Sequence, residues 1–225
     1  MYVPRHFSLP EDYVRTLLAR PGIGNLVTVI SSGPEATKVP FYLDEEKNAL
    51  VTHLVKNNPQ AAEPADGPGL VILDDVDAYV PPHWYATNAV KANVPTWDYI
   101  TVHVRGAVRI DPSPEAALAA ACRLTEMMET DDVLTPVGGD QLRRMARAIV
   151  AVEVGLDEVR GKAKMSQNRH PDDIRGLADE FERHGEPRMA EFLRTVSLPY
   201  AERRFSTLAR LREARSPGGD VRGFH

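Results

Sequence analysis

The sequence is sparing in several respects, and each shortage excludes something. It has one cysteine, Cys122, so no internal disulfide can form, and its alanine-rich setting "EAALAAACRL" predicts a packed helix position. No apolar run is long enough to cross a bilayer and the start is not basic-then-apolar, so we expect no membrane span or signal peptide and a cytoplasmic chain. A basic surplus is missing too. Lys and Arg number 27 against 32 Asp and Glu, a net charge of −5, which gives no general attraction to nucleic acid or anionic membranes. Neither GxGxxG nor GxxxxGKS occurs; "PGIG" at 21–24 is too short to cradle phosphate and reads as a helix-to-strand turn. Aromatic residues make up only 7%.

Those few rings are concentrated. The stretch "YVPPHWYATNAVKANVPTWDYITVHVRG", residues 79–106, holds both tryptophans, Trp84 and Trp97, with Tyr79, Tyr85, Tyr99, His83, His103 and three prolines. A core needs rings but not imidazoles and prolines among them; a site for a flat cofactor uses all three.

Around this stretch the pattern is that of a strand-rich domain with helices at its sides and end. Ser8 and Glu11 read as a capping box opening a helix that Pro21 and Gly22 stop. "NLVTVIS", "ATKVPFYL" and "ALVTHLV", separated by "SSGPE" and "DEEKN", read as a strand meander. Asn58 and Pro59 open a short helix, and "GLVILDD" and "AYVP" supply further strand. "YITVHVRGAVRI" is a longer strand in which Gly106 marks a bulge or close approach. Ser113 and Pro114 open a helix, "DQLRRMARA" is a shorter one, and "IVAVEVGLDEV" is the last long strand. Three amphipathic helices follow, with breaks expected at Gly185 and Pro199. The expected fold is α+β, an antiparallel barrel with flanking helices. A cofactor-binding domain over 1–170, a helical extension over 171–215 and a loose tail over 216–225 are expected.

Several constellations are candidates for chemistry. His53 and Lys56 stand at a strand-to-helix junction suited to a phosphate or carboxylate, or to nothing more than a capped helix beside a solvated lysine. "GKAKMSQNR", 161–169, has the cations Lys162, Lys164 and Arg169 and the polar Ser166, Gln167 and Asn168, a loop able to hold an anion or simply an exposed basic loop. Imidazole is a common metal and haem ligand, but His53, His83 and His103 match no zinc spacing. The pairs Asp74/Asp75, Asp131/Asp132 and Asp172/Asp173 fall in turn or helix-start contexts where capping suffices. "AERRFSTLARLREAR" carries five arginines against two glutamates; a helix docked on the barrel or a partner subunit fits the acidic whole better than a DNA-facing one.

Five segments taken together, "MYVPRHF", "THLVKNNP", "AYVPPHWY", "VPTWDYITVHVRG" and "GKAKMSQNR", resemble the PaiB-like family of FMN-binding split-barrel proteins and negative transcriptional regulators, over roughly 1–175. The resemblance implies a homodimeric split barrel whose cofactor cleft is formed by both subunits. It also shows departures. Asp75-Val76 stands where the family has Gly-Pro, Asp98 where it has Asn, His83 where serine is common and Lys38 where histidine is. The acidic replacement adds negative charge near the cofactor mouth, and His83 adds an imidazole.

These departures point to the family's branch of haem-dependent piperazate synthases, which cyclise N5-hydroxy-L-ornithine to L-piperazic acid by N–N bond formation. That branch implies haem b, with FMN as the alternative, and a small amino-acid substrate. One of His53, His83 and His103 would be the axial ligand. Trp84, Tyr85 and Trp97 would wall the flat cofactor; Lys162, Lys164, Ser166, Gln167, Asn168 and Arg169 would hold its or the substrate's carboxylates. Asp98 and Lys56 are the candidate catalytic residues, Asp98 as the proton acceptor. A flavin redox protein and a DNA-binding repressor are the competing classes.

Overall fold

The computed structural model describes residues 1–63 and 65–215, with side chains to 211; the expected loose tail at 216–225 lies outside them. Eight strands form one sheet: β1 (Gly22–Ile30), β2 (Gly33–Asp44), β3 (Ala49–Val55), β4 (Gly69–Val80), β5 (Thr96–Gly106), β6 (Val108–Asp111), β7 (Ile149–Gly155) and β8 (Glu158–Lys164). Their order is β6-β7-β3-β2-β1-β4-β5-β8, with antiparallel pairing wherever the register is described. This is the split-barrel type of α+β fold. Among the described residues seven α-helices accompany it: α1 (Glu11–Ala19), α2 (Pro59–Ala62), α3 (Pro114–Met128), α4 (Gly139–Ala146), α5 (Pro171–Arg183), α6 (Pro187–Phe192) and α7 (Leu198–Arg215).

The chain divides into two compact units. The first comprises Met1–Pro4, Ser8–Asp75 and Ile100–Ala163; the second comprises Arg5–Phe7, Val76–Tyr99 and the chain from Lys164 onward. In the first, α3 covers β3 and β7, burying Tyr42, Val51, Ala120, Leu124 and Ala151 together. Gln60 of α2 is 3% exposed and pins the sheet. Its Nε2 donates to Leu26 O, Thr28 Oγ1 and Glu35 O, and its Oε1 accepts from Thr37 Oγ1. In the second, α5 packs on α6, α7 and the 3-10 turns Pro82–Trp84 and Ala86–Ala89, burying Ile174, Leu177, Phe181, Met189 and Leu193.

Several local expectations hold. Asn58 Oδ1 accepts from Gln60 N, and Ser113 Oγ from Ala116 N, each with proline at the first helical position. Gly106 is a close approach: a Cβ there would lie 1.9 Å from Gly155 O. Six expectations are corrected. "YITVHVRGAVRI" is two strands, β5 and β6, and "IVAVEVGLDEV" holds β7 and only the start of β8, the last strand. Ser8 caps nothing, because it bridges Lys162 in extended backbone and Pro10 precedes the helix. "GLVILDD" and "AYVP" are one strand, so Asp74 and Asp75 are strand residues, Asp75 accepting from Tyr13 Oη at 2.6 Å and pairing with Arg20. Lys162 and Lys164 lie on β8 rather than a loop. Pro199 breaks no helix. Residues 193–197 form a π-helical turn in which Leu198 N donates to Leu193 O, and that shift in register takes in a residue lacking an N–H.

Candidate functional site

The second unit gathers most of the expected site residues around one buried carboxylate. Asp98 is on β5, and the strand's alternation turns it inward, leaving it 1% exposed. Ser166 Oγ donates to Asp98 Oδ2 at 2.7 Å, from a backbone held at φ 58°. A non-glycine residue there is strained, by roughly 1–2 kcal/mol, and is held by its surroundings. Gln167 Oε1 accepts from Met165 N, Arg169 N donates to Ser166 O, and Ser197 Oγ of the π turn donates to Met165 O at 2.7 Å.

Two cations attend the carboxylate. Lys164 Nζ lies 3.8 Å from Asp98 Oδ1 and donates to Thr96 Oγ1 and Trp97 O. Arg169 donates to Asn93 Oδ1 at 3.0 Å and stacks over the Tyr85 ring, 4.3 Å from its centroid. Burial pushes Asp98 up to about 6, against the opposing pull of Ser166, Lys164 and Arg169. Tyr85 is 2% exposed and its Oη has no hydrogen-bond partner of good geometry. Burial raises the phenol, outweighing the neighbouring Arg169 and Ser166.

Beside this cluster the two tryptophans differ. Trp97 is 50% exposed, meets the half-exposed Tyr79 edge-on at 6.0 Å, and donates Nε1 to Asp77 Oδ1 at 2.8 Å. Trp84 packs against Phe181 at 5.3 Å and His184 at 4.8 Å, and a Cβ added at Gly176 would meet its carbonyl at 3.3 Å. Its rings serve the α5 contact. His83 is exposed, edge-on to Trp84, and Asn168 is exposed with its carbonyl accepting from Arg204. Asp173 holds the 3-10 turn, accepting from Thr87 N and Oγ1.

The remaining candidates belong to the first unit. His53 sits in the middle of β3 opposite Ala151, with Nδ1 buried and unpartnered; burial lowers its pKa. Lys56 is exposed, its backbone N–H bonded to Ala148 O, and the one-turn α2 already has its Asn58 cap. His103 is also lowered, first by burial and then by nearby positive charge, and lines a pocket of about 250 Å³ with Leu70, Arg105 and Arg160. Lys162 bridges Ser8. His53 and His103 belong to the first unit and His83 to the second, and among the described residues no three His, Cys, Asp or Glu side chains could hold a metal ion. Sequence reasoning missed Asn93, Thr96, Asp77 and the strained backbone of Ser166. Only Thr96 carried a signal, within "VPTW".

The chain itself has relatives. A family model described as "Putative FMN-binding domain" matches residues 1–158. The protease synthase and sporulation protein PAI 2 of Bacillus subtilis is 25% identical over 209 residues, covering 86% of this chain and 96% of that protein. Among solved structures, the flavocytochrome Anf3 of Azotobacter vinelandii superposes with a TM-score of 0.55 at 12% identity, over 72% of each chain. An FAD- and haem-binding protein of Mycobacterium smegmatis gives 0.52 at 16% identity, over 71% of this chain and 74% of that one. At such identities these two structures speak for the fold alone.

Proposed function

Because this chain belongs to the FMN-binding domain family, we propose that it binds FMN as a homodimeric, PaiB-like flavin redox protein in which Asp98 exchanges a proton. The observation that carries this reading is the cation Lys164, which donates to Thr96 Oγ1 and Trp97 O beside the half-exposed Trp97 ring and lies 3.8 Å from the buried Asp98 carboxylate. A flat ring needs an open π-face, which Trp97 and Tyr79 offer, and an anionic tail needs a cation, which Lys164 offers at Trp97. Bound flavin supplies one- or two-electron transfer. Asp98, titrating close to neutrality, is matched to give or take the accompanying proton, and Ser166 fixes its orientation.

A second reading is favoured by one observation. His53 carries a buried Nδ1 without a protein partner and is kept neutral by burial, the form in which imidazole donates to iron. On this reading the chain is a haem b enzyme that cyclises N5-hydroxy-L-ornithine to L-piperazic acid, and haem iron supplies Lewis acidity toward the N–O bond.

The absorption spectrum of the purified chain, before and after adding FMN or haemin, tests both. Flavin bands, with affinity reduced about fivefold or more by Trp97→Ala, support the first reading. A Soret band lost in His53→Ala but kept in His83→Ala and His103→Ala supports the second. A chain that takes up neither cofactor overturns both.

A further inference from the structure

The cluster in the second unit has more donors and positive charge than the chain itself uses. Tyr85 Oη is a buried hydroxyl beside Ser166 and Arg169 that makes no hydrogen bond of good geometry with either. Asp98 gives one oxygen, Oδ2, to Ser166; the other, Oδ1, faces Lys164 at 3.8 Å, beyond hydrogen-bond length. Lys164 and Arg169 together carry one positive charge more than Asp98 can balance. Buried polar groups in folded proteins are satisfied almost without exception, so an unpaired phenol beside surplus positive charge marks the place of an absent acceptor. A water would satisfy the hydroxyl but not the charge.

We propose that this cluster is a binding site for a small monocarboxylate, recognised by the Tyr85 hydroxyl and the Arg169 guanidinium and paired with Asp98 in its protonated, hydrogen-bond-donating form. Size and charge select the class. A phosphate dianion would meet the Asp98 carboxylate with more repulsion than one shared proton relieves, whereas two carboxyl groups share a proton readily. The charged and titratable groups facing Asp98 are Lys164 of β8, Arg169 and Tyr85, and Ser166 supplies the neutral donor. Asp98 is ionised above pH about 6 and must regain a proton before the ligand anion can sit beside it. Binding therefore takes up a proton and weakens as pH rises. Lys164 and Arg169 are partly exposed and give the anion a way in. The site uses the chain's own residues and does not depend on a flavin being present.

The test is calorimetric titration of the full chain with formate at pH 6, 7 and 8, in buffers of different ionisation enthalpy, with and without added FMN. Close to one proton is expected to enter per formate at pH 8, and the dissociation constant should rise about tenfold per pH unit above neutrality. Asp98→Asn should remove both the proton uptake and the pH dependence. Tyr85→Phe, which keeps the ring and its packing, should weaken binding at least fivefold while leaving the far-UV spectrum and melting temperature near those of the parent. Absence of formate binding at pH 6 would overturn the proposal, as would binding without proton uptake, equal competition by chloride, or an undiminished Tyr85→Phe. Formate binding in a chain that refuses FMN would instead remove the flavin reading and leave this site standing.

Discussion

A carboxylate placed where Asp98 sits has consequences for the folded state as well as for chemistry. Its pKa is raised on folding from 3.8 to about 6, so the native chain holds the proton more tightly than the unfolded chain. Its contribution to stability is therefore fully present below pH about 4, declines as pH rises through about 6, and is level above. The span corresponds to a loss on the order of 3 kcal/mol at neutral pH. Asp98→Asn, which keeps an acceptor for Ser166, should flatten this decline, and denaturant unfolding at pH 4, 5, 6 and 7 checks it. Gly106 shows a harsher constraint. With a Cβ 1.9 Å from Gly155 O, the backbones themselves would have to part, and Gly106→Ala should cost about 3 kcal/mol or more, read as a large drop in melting temperature. The two residues differ in legibility. Gly106 stood out as a glycine inside an apolar strand, whereas Asp98's burial follows from which face of β5 turns inward, a property of pairing that one strand does not announce.

At the scale of elements, α2 does more than its four residues suggest. Gln60 ties it to β1 and β2 through Leu26 O, Thr28 Oγ1, Glu35 O and Thr37 Oγ1. Gln60→Leu keeps much of the volume but leaves buried acceptors without donors, so a loss of about 2–4 kcal/mol is expected. Denaturant unfolding checks it, and Thr37→Val in the same background should add less than it does alone, since the two share one network. The cap that starts α2 was readable, because Asn58 followed by Pro59 is a local signal acting on its own neighbours. The continuity of β4, read as two separate strand segments, and the strand β8 were not. Alternation in β4 is interrupted by Asp74 and Asp75, whose strand geometry depends on Tyr13 and Arg20 far away in sequence. In β8 the cations of "GKAK" mask a strand whose inward residue is Ala163. Pro199 misled for a related reason: proline stops an α-helix, but a π turn tolerates it, and the π turn is fixed by Ser197 reaching Met165.

At the scale of the whole molecule, charge weighs against one of the remaining classes. A repressor reading needs a surface that gathers phosphates, yet the chain is net −5, and the arginines of α7 are not all at liberty. Arg204 is engaged by Asn168 O, and Arg175 of α5 answers Glu202 of α7 and Asp172. The outward residues Leu208, 39% exposed, and Leu211, 57% exposed, flank the exposed Arg210 on the same helix, so apolar side chains stand beside a cation there. Such a face suits docking on protein better than on a phosphate backbone, where affinity comes from released counterions. We expect no retardation of duplex DNA by the full chain at about 150 mM salt, and at 50 mM only a weak, sequence-independent shift that declines with salt by no more than a few phosphate contacts' worth. Sedimentation on the same samples should show a species of twice the chain's mass. Tight, sequence-dependent retardation that survives at 150 mM would return the repressor to the front, and a monomer at micromolar concentration would remove the proposed dimer.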